Sequence, residues 1–182
     1  MTAVDNLAFK LNVRADSFAY MIEYLRTLPR TRRPTIVETG CIRSVDDYGA
    51  GYSTMIWELL SREMDLRVLS IDNNPVNVAF ARRHCPRVAF RCFDSVAALA
   101  ELDERVDLLY LDSYDLDQTN PHPSALHHIL ELCASVNLLE RGALVAVDDN
   151  YDTVGKGMYV DRFMEATGRP CVFAGVQRIY QW

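Results

Sequence analysis

Five short apolar runs, separated by stretches of helical periodicity, constrain this chain more than any other feature. They cover residues 35–39, 66–72, 88–94, 106–112 and 142–149, and each is rich in β-branched or aromatic residues and bounded by turn residues. Between them, residues 53–64 place Met55, Ile56, Leu59 and Leu60 at helical spacing, and 123–139 do the same with Leu126, Ile129, Leu130, Cys133 and Val136. Residues 75–84 open with Pro75 after Asn73-Asn74, a helix start. A lead-in helix over 15–28 carries Phe18, Met21, Ile22 and Leu25; another is expected over 157–167, and one or two closing strands from Pro170 to Trp182. This alternation predicts an α/β fold: a doubly wound, mostly parallel sheet of about seven strands, with helices on both faces.

A chain of 182 residues, 49% hydrophobic, has room for one domain with a sizeable core. With no divider in sight, residues 1–182 read as a single domain, 1–33 being its N-terminal helix and linker. A 24% charged fraction argues against a disordered chain. No apolar run reaches the roughly 18 residues of a membrane span, and Met1 to Asn6 lacks a secretory layout, so a cytoplasmic protein without a membrane partner is expected. The net charge of −6 disfavours nucleic acid as a partner. Arg26, Arg30, Arg32 and Arg33, around Pro29 and Pro34, read as a solvated linker. The five cysteines form no CxxC pair, which suits a reducing compartment and small buried side chains.

Four of the five runs end in an acidic residue (Asp72, Asp94, Asp112, Asp148-Asp149), and the first carries Glu38 next to its end. In an open α/β sheet, ligands bind outside the carboxyl ends of the strands, so these residues form a row along that crevice. Capping of the following helix is the alternative for any one of them, less so for the adjacent pair. Of the eight glycines, Gly40, Gly49 and Gly51 share one loop. A dinucleotide site requires G-x-G-x-x-G, but Thr54 stands at the third position, which weakens a nicotinamide dehydrogenase reading. No Lys-Ser or Lys-Thr follows, so a triphosphate loop is excluded. The loop instead suits a nucleoside without a pyrophosphate. Asp72, 21 residues after Gly51, stands where a carboxylate accepts both ribose hydroxyls.

Glu38-Thr39-Gly40 with Gly49-Ala50-Gly51-Tyr52-Ser53-Thr54 resembles the first motif of the class I S-adenosylmethionine-dependent methyltransferases, with residues 42–48 inserted. The resemblance spans about residue 15 to the end and implies a Rossmann-like sheet. It places the methionine part of S-adenosylmethionine at Glu38, Thr39, Gly40, Gly51 and Ser53. The ribose falls to Asp72 and Asn73, the adenine to Asp94 and Ser95, and the cofactor amino group to Asp112.

Leu111-Asp112-Ser113-Tyr114-Asp115 and Val147-Asp148-Asp149-Asn150 further resemble the metal-dependent O-methyltransferases of catechol and macrocin type. That likeness implies Mg²⁺ held by Asp112, Asp148 and Asp149, from strand ends about 4.8 Å apart. The ion would lower the pKa of an acceptor hydroxyl. The catechol type has a lysine base three residues after its first metal aspartate; here that position is Asp115, the first candidate base. His122, at the start of the helix with His127 and His128, is the second. Of that adjacent pair, at least one is expected on the helix surface. Tyr48, Tyr52 and Tyr151 are candidate pocket walls. The implied reaction moves a methyl group to a hydroxyl oxygen of a small molecule: a sugar, or a sugar-bearing or phenolic natural product. The competing readings are a non-catalytic S-adenosylmethionine-binding subunit and an NAD-dependent dehydrogenase. With no residues left for a lid domain, acceptor recognition falls to the N-terminal helix, residues 42–48, the loop 115–123 or a partner subunit, as in a homo-oligomer.

Overall fold

The computed structural model describes residues 10–29, 31–46 and 51–182. After a 3-10 turn at Asn12–Arg14, helix α1 (Ala15–Thr27) turns one stripe inward. Phe18, Met21, Ile22 and Leu25 are each 1% exposed or less. Their spacing of three, one and three residues is what a helix face needs, and each burial contributes on the order of 1.5–3 kcal/mol.

The strands β1 (Thr35–Thr39), β2 (Arg67–Asp72), β3 (Ala89–Cys92), β4 (Val106–Leu111) and β5 (Leu139–Val147) are parallel. They alternate with α2 (Ser53–Glu63), α3 (Pro75–His84), α4 (Ser95–Ala100) and α5 (His122–Ser135). A short hairpin, β6 (Asn150–Tyr151) and β7 (Val154–Gly155), then leads to α6 (Met158–Ala166). Strands β8 (Cys171–Ala174) and β9 (Arg178–Gln181) close the sheet, β9 antiparallel between β5 and β8. The order is β3-β2-β1-β4-β5-β9-β8. The predicted seven-stranded, doubly wound sheet is therefore observed.

Alternation along the strands feeds two cores. Ile36, Leu108, Tyr110 and Leu144 join the face packed by α1 to α3, while Val37, Leu109, Leu111 and Val145 join that packed by α4 to α6. The chain runs outward from β1 to β3 on one side and from β4 to β5 on the other. The strand order reverses between β1 and β4, and a crevice opens there.

Some details differ from the sequence expectations. Helix α4 and the β6–β7 hairpin were not anticipated, being too short to show a period. The supposed linker is tied down: Arg32 grips Asp107 through two bonds of 2.6 and 2.8 Å, and Arg33 pairs with Asp65 at 2.8 Å. Arg30 lies outside the described residues. Only Cys41 and Cys85 are buried; Cys92, Cys133 and Cys171 are exposed. Among the described residues no helix is long and apolar enough to cross a membrane.

Candidate active site

The loops leaving β1 and β4 meet at the crevice. Gly40 has φ 81°, and a Cβ there would lie 2.5 Å from the carbonyl oxygen of Asp112. Gly51, at φ 68°, would put a Cβ 2.4 Å from the Cys41 carbonyl oxygen. Both positions thus require glycine, and together they leave open a polar cleft of about 210 Å³. Its walls include Gly40, Arg43, Gly51, Asp72, Asn73, Asp112, Ser113 and Asp115. A smaller cavity of about 60 Å³, walled by Asp94, Ser95, Tyr114 and His127, adjoins it through Gly40, Asp72 and Asn73. Asp72 accepts from the Cys41 N–H at 3.3 Å, the Asn74 N–H at 2.7 Å and the Asn77 amide at 3.3 Å. Asp94 lies in the smaller cavity and also caps α4 through the Ala97 N–H at 2.9 Å, so capping and site placement coincide.

Glu38 is fully buried beneath this loop. Its Oε2 accepts from the hydroxyls of Thr54 and Ser70, both at 2.7 Å, while Thr54 Oγ1 also accepts from the Ile42 N–H at 3.0 Å. Thr54, which fails the dinucleotide pattern, is thus the post that ties α2 to the β1 loop. Burial raises the Glu38 carboxyl to about 7, against the pull of the neighbouring hydroxyls. Thr39 is buried and its carbonyl accepts from the Asp112 N–H at 3.1 Å; Ser53 is buried in the first turn of α2. Of residues 42–48 and the glycine loop, Asp47, Tyr48, Gly49 and Ala50 lie outside the described residues.

The far end of the crevice is built differently. Lys156, between the hairpin and α6, puts its Nζ 2.5 Å from Asp112 Oδ1 and 3.0 Å from Asp149 Oδ2. Arg14 Nε donates to both oxygens of Asp148 at 2.8 and 3.0 Å, and its Nη2 reaches Asp149 at 2.6 Å. Asp148 also accepts from the Tyr110 hydroxyl at 2.6 Å and the Gln177 amide at 3.0 Å. Burial opposes the charges of Lys156 and Arg14, yet the surrounding aspartates outweigh it and both pKa values are raised. Burial lifts the Asp112 carboxyl above its ordinary range, Lys156 countering.

The carboxylates expected to hold Mg²⁺ are therefore brought together, but around protein cations. Every Asp148 oxygen is used, and the space between Asp112 and Asp149 holds an ammonium. Among the described residues no group of three or more His, Cys, Asp or Glu side chains has the arrangement of a metal site. These residues do not fit a bound divalent ion, which requires two or more free carboxylate or carbonyl oxygens. Of the residues expected to hold S-adenosylmethionine, Gly40, Gly51, Asp72, Asn73, Asp94, Ser95 and Asp112 line the two adjoining cavities, whereas Glu38, Thr39 and Ser53 are buried and line neither.

Asp115 lies at the cleft mouth, 76% exposed at the side chain, and shares bonds of 3.1 and 3.2 Å with Arg43. His122 bonds Tyr159 at 2.8 Å and lies outside the cleft lining. Neither member of the His127–His128 pair is a plain surface residue. His127 bonds Ser95 at 2.9 Å in the smaller cavity, and its pKa is raised by hydrogen bonding to buried Glu131. His128 is fully buried, which lowers it to about 4. Tyr52 is buried, and exposed Tyr151 rests its hydroxyl 3.4 Å from Asp149. The sequence reading missed Arg14, Arg43, Tyr110, Glu131, Lys156 and Gln177. Only Lys156 carried a local signal, its flanking Gly155 and Gly157.

No family model and no curated protein matches the chain. Solved structures do. The chain is similar to CalS11, described as a TDP-rhamnose 3'-O-methyltransferase of calicheamicin biosynthesis (TM-score 0.64, 16% identity, covering 91% of this chain and 77% of that one). It is similar to the SAH-bound methyltransferase PaMTH1 of Podospora anserina (TM-score 0.59, 18% identity, 100% and 88%). It is also similar to the N-methyltransferase NodS of Bradyrhizobium japonicum (TM-score 0.54, 13% identity, 91% and 95%). These names span oxygen and nitrogen acceptors, so the likeness speaks to architecture and leaves the acceptor open. Sheet order and structural likeness together identify the fold as that of the class I methyltransferases.

Proposed function

We propose that this chain binds S-adenosylmethionine in the crevice and transfers its methyl group to a hydroxyl oxygen of a small molecule. The observation that carries this reading is the charge pattern of the main cleft: Asp72, Asp112 and Asp115 with Arg43 as the one cation among its lining residues. A sulfonium and an ammonium suit such a wall, and Arg43 suits the methionine carboxylate. A dinucleotide diphosphate would meet three carboxylates among the described lining residues. In this reading Asp72 and Asn73 take the ribose, Asp94 and Ser95 the adenine, and Asp112 the methionine ammonium. Gly40 and Gly51 let the cofactor approach the backbone.

Displacement at a methyl carbon depends chiefly on alignment of the two reactants. Arg43, on turning to the methionine carboxylate, releases Asp115 at the cleft mouth to take the acceptor proton. A sugar, or a sugar-bearing or phenolic natural product, is the acceptor class; the sequence resemblance and the name of CalS11 support it.

Calorimetry with S-adenosylmethionine, S-adenosylhomocysteine and NAD tests the cofactor. Micromolar binding of the first two and none of NAD is expected; failure to bind S-adenosylmethionine would end this reading. A panel of hydroxylated metabolites, scored by S-adenosylhomocysteine release, then tests the acceptor. Binding without turnover on any member would favour the non-catalytic subunit.

A further inference from the structure

Of the 19 basic residues of the chain only two are lysines, and one of them, Lys156, is buried at the acceptor end of the crevice, 1% exposed. The backbone around it leaves little freedom. The Lys156 N–H donates to the Asp149 carbonyl at 3.2 Å. Asn150 Nδ2 donates to the carbonyls of Val147 and Asp148 at 2.8 and 3.2 Å, and its Oδ1 accepts from the Gly157 N–H at 2.8 Å. A Cβ on Gly155 would come within 2.7 Å of that Oδ1, and one on Gly157 within 2.5 Å. Glycine on both sides of Lys156 thus lets the hairpin fold tightly over Asn150, aiming the ammonium at Asp112 and Asp149. Asp149 itself adopts φ 52°, a left-handed conformation that Asp tolerates better than most residues.

We propose that Lys156 is the resident cation of this site: its ammonium stands between Asp112 and Asp149 where the resembled enzymes place a divalent metal, and the chain uses no metal there. A compact ammonium with three donors meets two carboxylates as a small hard cation would, whereas a guanidinium is broader and planar. Lys156 touches no substrate in this arrangement. It is a positioning residue, holding the β4 and β5 carboxylates in one geometry. The proposal concerns charge compensation and does not rest on the methyl-transfer reading; the two stand or fall in separate measurements.

The test is a titration of the full chain with MnCl₂, followed by calorimetry and by thermal melting. The unmodified chain should show no binding at millimolar Mn²⁺ and no change in cofactor affinity after EDTA. Lys156→Ala opens a space between two carboxylates, and Mn²⁺ should then bind and raise Tm by about 5 °C. Adding Asp112→Asn to that variant should abolish the gain. Lys156→Gln, which keeps most of the volume, carries the same titration if the alanine variant is too unstable to purify. Stoichiometric Mn²⁺ binding to the unmodified chain, lost on Asp112→Asn, would overturn the proposal. So would a folded Lys156 variant that gains no ion, because the pair of carboxylates would then not be a cation position.

Discussion

The two halves of the crevice solve the same problem in opposite ways. On the β1–β3 side, Asp72 ends its strand with N–H donors and the Cys41 thiol around it and faces open space. Glu38, deeper on that side, has hydroxyl partners and a raised pKa. On the β4–β5 side, Asp112, Asp148 and Asp149 are met by Lys156 and Arg14. A strand-end carboxylate left without a cation remains available to a ligand, or takes a proton if buried. One given an internal cation becomes part of the scaffold, and Asp112, which also lines the open cleft, stands at the boundary of the two. Asp72, Asp112 and Asp148 share residue type and register at the strand ends; the difference lies in what the topology brings to each.

The sharpest way to break this contrast is to remove a scaffold carboxylate. Asp148→Ala leaves Arg14 paired with Asp149 but removes its two-oxygen partner and an acceptor of Tyr110 and Gln177, and should cost about 3 kcal/mol in urea unfolding, with S-adenosylhomocysteine affinity nearly unchanged. A large loss of affinity with little loss of stability would reverse the roles assigned to the two halves.

A pH series sharpens the other half. Folding raises Glu38 from 4.5 to about 7, so its protonated form is favoured in the native state. That contribution is fully present below pH 4.5 and is lost as pH rises through 7. Glu38→Gln keeps an acceptor for Thr54 and Ser70 and removes the titration. The stability of the unmodified chain relative to this variant should therefore fall by about 3 kcal/mol between pH 4.5 and 7, then level off. A flat difference would show that Glu38 is ionised in the native state.

Asp72→Ala should weaken S-adenosylhomocysteine binding about 100-fold, two charge-assisted bonds being lost, while leaving Tm within a few degrees. The smallest effect is expected at the cleft mouth. Arg43→Ala breaks an exposed pair and should change stability by less than about 0.5 kcal/mol. Its cofactor affinity should still drop roughly tenfold, since a carboxylate loses its partner. An unchanged affinity would remove Arg43 from the cofactor site.

The placement of the β1–β3 side of the crevice was legible in the sequence because its information is local. Gly40 follows β1, Asp72 ends β2 and Asp94 precedes α4, and strand periodicity places each at the crevice. The β4–β5 side was legible only as a row of acids. Arg14 is 134 residues from Asp148, and Lys156 is 44 from Asp112. No spacing rule links them, and the hairpin that presents Lys156 has strands of two residues, too short for a period. His128 shows the same limit: at least one of the His127–His128 pair was expected on the helix surface, but His128 is fully buried and His127 lines the smaller cavity. The fold survives such gaps because it rests on many apolar positions, whereas a charge network rests on a few distant pairs.

The near-contact of Gly40 with the Asp112 carbonyl has a thermodynamic side. The loop that carries Gly40 and the loop that carries Asp112 press on each other with no side chain between them. A ligand that shifts one peptide therefore works against the other, and the two binding free energies are not independent. Whatever factor a ligand on one loop imposes on the affinity of a ligand on the other, the second imposes on the first in return. Enlarging the glycine would alter that exchange before it altered either site alone.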